Sequence, residues 1–337
     1  MGLPPSQSAS SDDEADPNIQ KSQFVTHHPA ILELLSQAAM VAKSQAAVLI
    51  TGESGTGKDV LARFIHAHSA QAPHPFIAVN CAALPHDVID NELFGHEREA
   101  FTGANSKKAG CFELAHRGTL FLDEIAEMAP QVQAKLLRAT ETKRFRRLGG
   151  HEEVEVEVRI ISATNRNVAE ALSSGHLRGD VYYRLGVVEL HLPPLRERPT
   201  DIPLLLDHFV RTLDGAPEHA TKTFSPDALD ILTEYPWPGN VRELRNLVEA
   251  LLITCPHETV KPCCLPERLQ RDHAIRKAVT IPIGTTIQHA ERLMIDYTLR
   301  ATGGNKSRAA QILGVSRKYL YDRLRDEMEE PPAVVKS

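Results

Sequence analysis

Residues 47–65 read AVLITGESGTGKDVLARFI, and these nineteen residues decide the fold. An apolar, β-branched run (Ala47–Thr51) predicts a buried strand. The pattern Val60, Leu61, Phe64, Ile65 predicts an amphipathic helix. Between them lies Gly52-Glu53-Ser54-Gly55-Thr56-Gly57-Lys58, a glycine-rich loop ending in lysine. Glycines let successive backbone N–H groups wrap a phosphate chain, the helix start adds positive potential, and Lys58 reaches the outer phosphates. Gly52, Glu53, Ser54, Gly55, Thr56, Gly57 and Lys58 are therefore candidate nucleotide-binding residues. Asp59 follows, where a Ser or Thr hydroxyl would usually help to hold Mg²⁺.

Outward from this loop, short β-branched runs alternate with helical patterns. Phe76–Asn80, Thr119–Leu122 and Val158–Ala163 are the other expected strands. Strands interleaved with helices predict a parallel, layered α/β sheet. Gly118-Thr119-Leu120-Phe121-Leu122-Asp123-Glu124 is a buried strand ending in two acids. Opposite a phosphate loop, Asp123 would hold Mg²⁺ through water and Glu124 would polarise the attacking water. Ser162-Ala163-Thr164-Asn165 ends the next strand. Asn165 is either a turn-former or a sensor of the outermost phosphate. Arg178 and Arg184 are either surface ion-pair residues or fingers reaching a neighbouring subunit's phosphate, since a guanidinium offers a planar bidentate charge.

Composition limits the class. The chain has 337 residues, 42% hydrophobic and 24% charged, as in a soluble globular protein of about two domains. It has no apolar stretch of membrane-spanning length and no secretory signal, so a cytoplasmic protein without membrane contact is expected. Five cysteines (Cys81, Cys111, Cys255, Cys263, Cys264) do not make a disulfide framework, and the spacing of the last three suits ordinary thiols better than a metal site. The net charge of −6 is unevenly spread. Four acids fall within residues 12–16, whereas residues 304–325 hold six bases against one acid, Asp322, as expected of a DNA contact.

The expected division is a Ser-, Pro- and Asp-rich disordered tail over 1–22, an α/β subdomain over 23–194, an all-α lid over 195–255, a proline-bearing linker over 256–284 and a three-helix unit over 285–330. In the last, GNKSRAAQILGVSRKYLYDRL (304–324) reads as helix, tight turn, helix. Asn305 and Ser316 cap the helices and Gly314 turns between them. Arg317, Lys318 and Tyr321 would face DNA from the second helix. The bland alternative is a basic, solvated helical hairpin.

With those residues in place, the chain closely resembles the bacterial enhancer-binding proteins, the AAA+ activators of sigma-54 RNA polymerase. The stretches that carry the resemblance are LITGESGTGKD, FIAVNCAALP, ELFGHEREAFTGA, GTLFLDEI, RIISATNRN, YYRLGVVELHLPPLRER and YPWPGNVRELRNLVE, spanning about residues 25–255. The resemblance implies ATP with Mg²⁺, a hexameric ring with nucleotide between subunits, and ATP-driven remodelling of a closed promoter complex. An acid after the loop lysine is usual there, which accounts for Asp59. Asn80 would restrain Glu124 until ATP is sensed, Arg242 would contact nucleotide from the lid, and Arg178 and Arg184 fall on finger positions. Phe101 and Thr102 would touch sigma-54 from a mobile loop, although Glu99 replaces its first glycine. Thr26 replaces a glycine in the segment lining the adenine pocket, and Asp322 stands where a base is commoner.

The C-terminal stretch resembles a Fis-type helix-turn-helix, implying binding to upstream DNA by units that dimerise through the helix over 285–301. No sensory domain fits within 22 residues, so the resemblance is to standalone activators controlled by a partner protein or by expression. Two other readings remain: a DNA-binding regulator of the same family that no longer acts through sigma-54, and a different AAA+ enzyme such as an unfoldase.

Overall fold

A computed structural model of the protein describes residues 24–83, 85–100, 104, 106–213, 222–271, 284–302 and 304–329. The tail over 1–22 and the loop residues Phe101 and Thr102 lie outside the described residues. The chain divides into two compact units, residues 1–264 and 265–337.

The first unit is built on a five-stranded sheet: β1 (Val48–Thr51), β2 (Phe76–Asn80), β3 (Thr119–Asp123), β6 (Arg159–Thr164) and β7 (Val188–His191). Their spatial order is β2-β3-β6-β1-β7, and every neighbouring pair is parallel. Strand alternation divides the core into two layers. Leu120 and Leu122 of β3 and Leu49 of β1 face one cluster, with α3 (His86–Phe94), α4 (Cys111–Leu114), α5 (Pro130–Thr142), α6 (Val168–Ser173) and α7 (Gly179–Leu185) around it. Phe121, Val48 and Ile50 face the other, closed by α1 (Pro29–Ala42) and α2 (Lys58–Ala67). Strands buried on both faces explain why these segments read as continuous apolar runs.

An antiparallel hairpin, β4 (Arg144–Arg146) with β5 (Glu153–Glu155), stands outside that sheet. Its opposed residues are charge-paired, Arg144 to Glu155 at 2.9 Å and Arg146 to Glu153 at 3.1 Å. Each run alternates charged with apolar residues, and Phe145 pairs with Val154 on the core side, but three residues per strand is too short for the pattern to stand out.

The lid comprises α8 (Asp201–Thr212), α9 (Pro226–Glu234) and α10 (Asn240–Thr254). Ser225 caps α9 by accepting from the Ala228 N–H. Fully buried Trp237 anchors the turn before α10 and donates to the Leu232 carbonyl at 2.8 Å. Truncating such a residue costs about 3–5 kcal/mol. The lid is not wholly helical, and the stretch read as linker is partly built into it. β8 (Thr223–Phe224) pairs in parallel with β9 (Thr259–Val260), and Val260 is completely buried. Pro256 and Pro262 mark the ends of this segment, and the β-branched pair between them completes the ladder.

In the second unit, α11 (Ile287–Ala301), α12 (Lys306–Leu313) and α13 (Arg317–Glu329) enclose Ile295, Ala309, Ala310 and Leu320. Asn305 caps α12 through the Arg308 N–H, and Ser316 accepts from the Tyr319 N–H at 3.1 Å. Gly314 occupies the left-handed region (φ 67°), the torsion that ends α12 and makes the turn. No helix among the described residues is long and apolar enough to cross a membrane.

Candidate nucleotide site and DNA-binding unit

Because all five strands run the same way, their carboxyl ends share one edge, and the loops leaving β1, β3 and β6 meet there. Lys58 opens α2 and is almost fully buried. Its ammonium donates to the carbonyls of Gly52 at 2.9 Å and Glu53 at 3.3 Å, and lies 3.5 Å from Glu124 Oε1. The other Glu124 oxygen accepts the Asn165 N–H at 2.8 Å. Glu124 itself sits at φ 55°, left-handed for a residue with a Cβ. Such a torsion persists only where surrounding structure holds it, and it is frequent at reactive sites.

Asp123 ends β3 beside it. Its Oδ1 is buried with no hydrogen-bond partner. Burial, then the Glu124 charge, raise its pKa, with Lys58 opposing and Asp59 adding. A buried carboxylate oxygen without a donor suits a hard cation, so Mg²⁺ fits these residues. The nearby Cys81 thiol is pushed up to about 12, by burial and then by the Asp123 and Glu124 charges.

Asn80 lies next door, opposite Asp123 in the β2–β3 register. Among the described residues no hydrogen bond joins it to Glu124. Its side-chain oxygen accepts from the Ala82 and Ala83 N–H groups, at 2.9 and 3.2 Å. The tight turn after β2 places those two donors within reach, and Glu124 is restrained by Lys58 and Asn165 instead.

Arg242, on the first turn of α10, donates from its guanidinium to Ser54 Oγ at 3.1 Å, so the lid does reach the phosphate loop. Gly55 is required there: a Cβ would lie 2.4 Å from the Gly239 carbonyl oxygen, and φ is +78°. Arg178 and Arg184 are exposed, away from this chain's own phosphate loop in hydrogen bonding. Arg178 pairs with Asp180 at 2.7 Å, and Arg184 donates to the Thr140 carbonyl at 3.0 Å.

Sequence reasoning missed a buried network behind the loop. Arg198, 1% exposed, donates to the Thr56 carbonyl at 2.8 Å and lies 4.0 Å from Asp201. Asp201 in turn accepts from Thr26 Oγ1 at 2.8 Å and from the N–H groups of His27 and His28. Thr26, where a glycine was expected, thus gains a buried partner. Only the charges crowded after Pro193-Pro194 hinted at this network, and their partners lie far away in the chain.

Glu99 also takes a torsion suited to glycine, φ 66°, with its N–H donating to the Ala104 carbonyl at 2.8 Å. Its root is braced by Arg147, which pairs with Glu97 at 2.7 Å and with Glu113. Relief of the torsion outweighs glycine's extra freedom in the unfolded chain, so Glu99→Gly is expected to stabilise the protein by about 0.5–1 kcal/mol. A lower thermal midpoint for this variant would show that the side chain contributes more than its torsion costs.

In the second unit, Arg317, Lys318 and Tyr321 are all exposed on α13, and the Lys306 ammonium sits 4.8 Å above the Tyr321 ring. Tyr319 and Arg323 turn to Glu291 of α11, which ties α13 to the first helix of the unit. Among the described residues, no group of three or more His, Cys, Asp or Glu is placed to hold a metal by itself, and all five cysteines are free.

Comparison with known proteins agrees with this geometry. The model of the sigma-54 interaction domain matches residues 24–191, the AAA+ ATPase lid domain 196–281, and the bacterial regulatory protein, Fis family, 286–326. The transcriptional regulatory protein ZraR of Escherichia coli (strain K12) is 43% identical over 319 residues, covering 93% of this chain and 71% of that protein. The chain belongs to the sigma-54 activator family. Regulatory protein AtoC of the same organism is another relative in the family, 41% identical over 321 residues, with 94% of this chain and 70% of AtoC covered. Among solved structures, NtrX from Brucella abortus in complex with ATP is 35% identical at a TM-score of 0.68, covering 91% of this chain and 70% of NtrX. As a family member the chain carries an AAA+ ATPase domain, a helical lid and a Fis-type helix-turn-helix.

Proposed function

We propose that this sigma-54-dependent activator hydrolyses ATP in a ring of copies and uses that cycle to convert a closed sigma-54 polymerase complex into an open one. One observation carries the hydrolytic part: Glu124 is fixed, by Lys58 on one oxygen and the Asn165 N–H on the other, at the mouth of a phosphate-binding loop. In this reading residues 52–59 bind the triphosphate and Lys58 leaves its carbonyl partners for the outer phosphates. Glu124 takes the proton from the attacking water, and Asn165 reports the state of the γ-phosphate. Asp123 would hold Mg²⁺, which would supply positive charge against the triphosphate. Arg242 contacts nucleotide from the lid, and Arg178 and Arg184 exchange their present partners for the phosphate of an adjacent subunit. Asn80 acts on Glu124 only after its side chain leaves the Ala82 and Ala83 amides. The working parts correspond to an α/β subdomain up to about residue 194, a lid, and a DNA-binding unit from about 285.

Upstream DNA is bound through Arg317, Lys318 and Tyr321. Arg317→Ala and Lys318→Ala are each expected to weaken DNA binding about tenfold and to take about one unit off the slope of log affinity against log salt. An unchanged slope would place both side chains off the phosphates.

Phe101 and Thr102 are proposed to touch sigma-54. A second reading, a family regulator that no longer acts through sigma-54, draws on the strained Glu99 at the root of their loop. Open-complex formation on a sigma-54 promoter separates the two. Wild type should activate, Glu124→Ala and Thr102→Ala should not. Activation by Glu99→Gly alone would favour the second reading.

A further inference from the structure

A loop that points its N–H groups at phosphate must turn its carbonyls outward, and each of those needs a donor. In this chain five consecutive carbonyls of the phosphate loop have one. Gly52 and Glu53 are served by Lys58, and Glu53 also by Thr56 Oγ1 at 2.8 Å. The Ser54 carbonyl accepts from Asn240 Nδ2 at 3.0 Å, the Gly55 carbonyl from the Arg242 N–H at 3.3 Å, and the Thr56 carbonyl from Arg198 at 2.8 Å. Three of the five donors therefore come from the lid or the segment leading into it.

Asn240 is the centre of this arrangement. It is completely buried and holds φ 51°, a left-handed torsion that Asn tolerates better than most side chains. Its amide nitrogen also donates to Glu53 Oε2 at 3.1 Å, while its oxygen accepts the Leu195 N–H at 2.8 Å. One carboxamide thus joins the phosphate loop, the connection between subdomains and the first turn of α10. Glu53 is clamped from its other side by Arg196, at 2.6 and 2.9 Å. That bond is the main reason its carboxyl lies below the usual range, with Asn240 second.

We propose that Asn240 is a positioning residue for ATP: through Ser54 and Glu53 it shapes the phosphate loop, and so makes nucleotide affinity depend on how the lid is seated. The inference rests on the ATPase reading above. Asn240 touches no reacting atom, and it acts by holding the loop's amides in the orientation phosphate requires.

The test is steady-state ATP hydrolysis by the full chain, with binding of a fluorescent ATP analogue as a second readout. Asn240→Gly keeps the left-handed backbone and removes the carboxamide. It should raise KM and the analogue's Kd about tenfold while changing kcat less than threefold. Asn240→Asp sets a carboxylate against Glu53 and should raise KM further. Adding Glu53→Gln to Asn240→Asp replaces the repelling pair with a donor and an acceptor, and should bring KM back toward wild type. If Asn240→Gly does not fold, the Asp variant and its Glu53→Gln rescue decide the matter alone. A KM within twofold of wild type in both single variants, a loss confined to kcat, or an absence of rescue would overturn the proposal. Wild-type chain that binds and hydrolyses no ATP would instead overturn the ATPase reading on which it stands.

Discussion

Glu124→Gln protein is expected to bind ATP as tightly as wild type and to hydrolyse it roughly 10²–10⁴-fold more slowly. Glutamine keeps the size of the side chain and an oxygen to accept the Asn165 N–H, now 2.8 Å from the carboxylate. What it removes is the negative charge beside Lys58 and the ability to take a proton from water. Phosphate release measured alongside nucleotide binding separates the two effects. A variant that loses affinity and rate together would mean that Glu124 organises the loop rather than the water. A rate close to wild type would move the base elsewhere, and no other described carboxylate is held by both Lys58 and the Asn165 N–H.

The second large effect concerns stability. Asp201 is completely buried and accepts from Thr26 and from two backbone N–H groups, with the buried Arg198 guanidinium 4.0 Å away. Asp201→Ala is expected to destabilise the first unit by about 3–5 kcal/mol, because it leaves a buried cation and several donors unpaired. Burial already lowers the Arg198 pKa, and the Asp201 charge is what opposes that shift. Asp201→Asn keeps an acceptor for the amides and should fall between Ala and wild type. The measurement is the midpoint of the first unit's thermal transition. A shift equivalent to less than about 1 kcal/mol for Asp201→Ala would show that the network is incidental.

The parallel sheet, the phosphate loop and the helix-turn-helix were legible in sequence for the same reason: their signals are local. β1 and β2 are apolar runs of strand length, the glycines and Lys58 lie within seven residues, and Asn305, Gly314 and Ser316 each act on their immediate neighbours. What was not legible depends on pairing across the chain. The carboxamide of Asn240 meets Glu53 across 187 positions, and Thr26 meets Asp201 across 175. The β4–β5 hairpin escaped notice because each strand is only three residues long, although it pairs charges at its ends and Phe145 with Val154 at its centre. Asn80 combines a local and a distant relation. Its backbone stands opposite Asp123, while its side chain satisfies the turn that follows.

The shielded Cys81 has a practical consequence. A thiol needs its thiolate to attack an electrophile, and at about 12 almost none exists near neutrality. Alkylating reagents will therefore pass over the sulfur beside Asp123 and Glu124. They will find Cys263, which is exposed, and Cys264, whose pKa is lowered chiefly by a hydrogen bond with Cys255. The chain thus comes with an attachment point for a fluorophore just past β9 of the lid, while the labelling chemistry leaves the strand end at Asp123 and Glu124 alone.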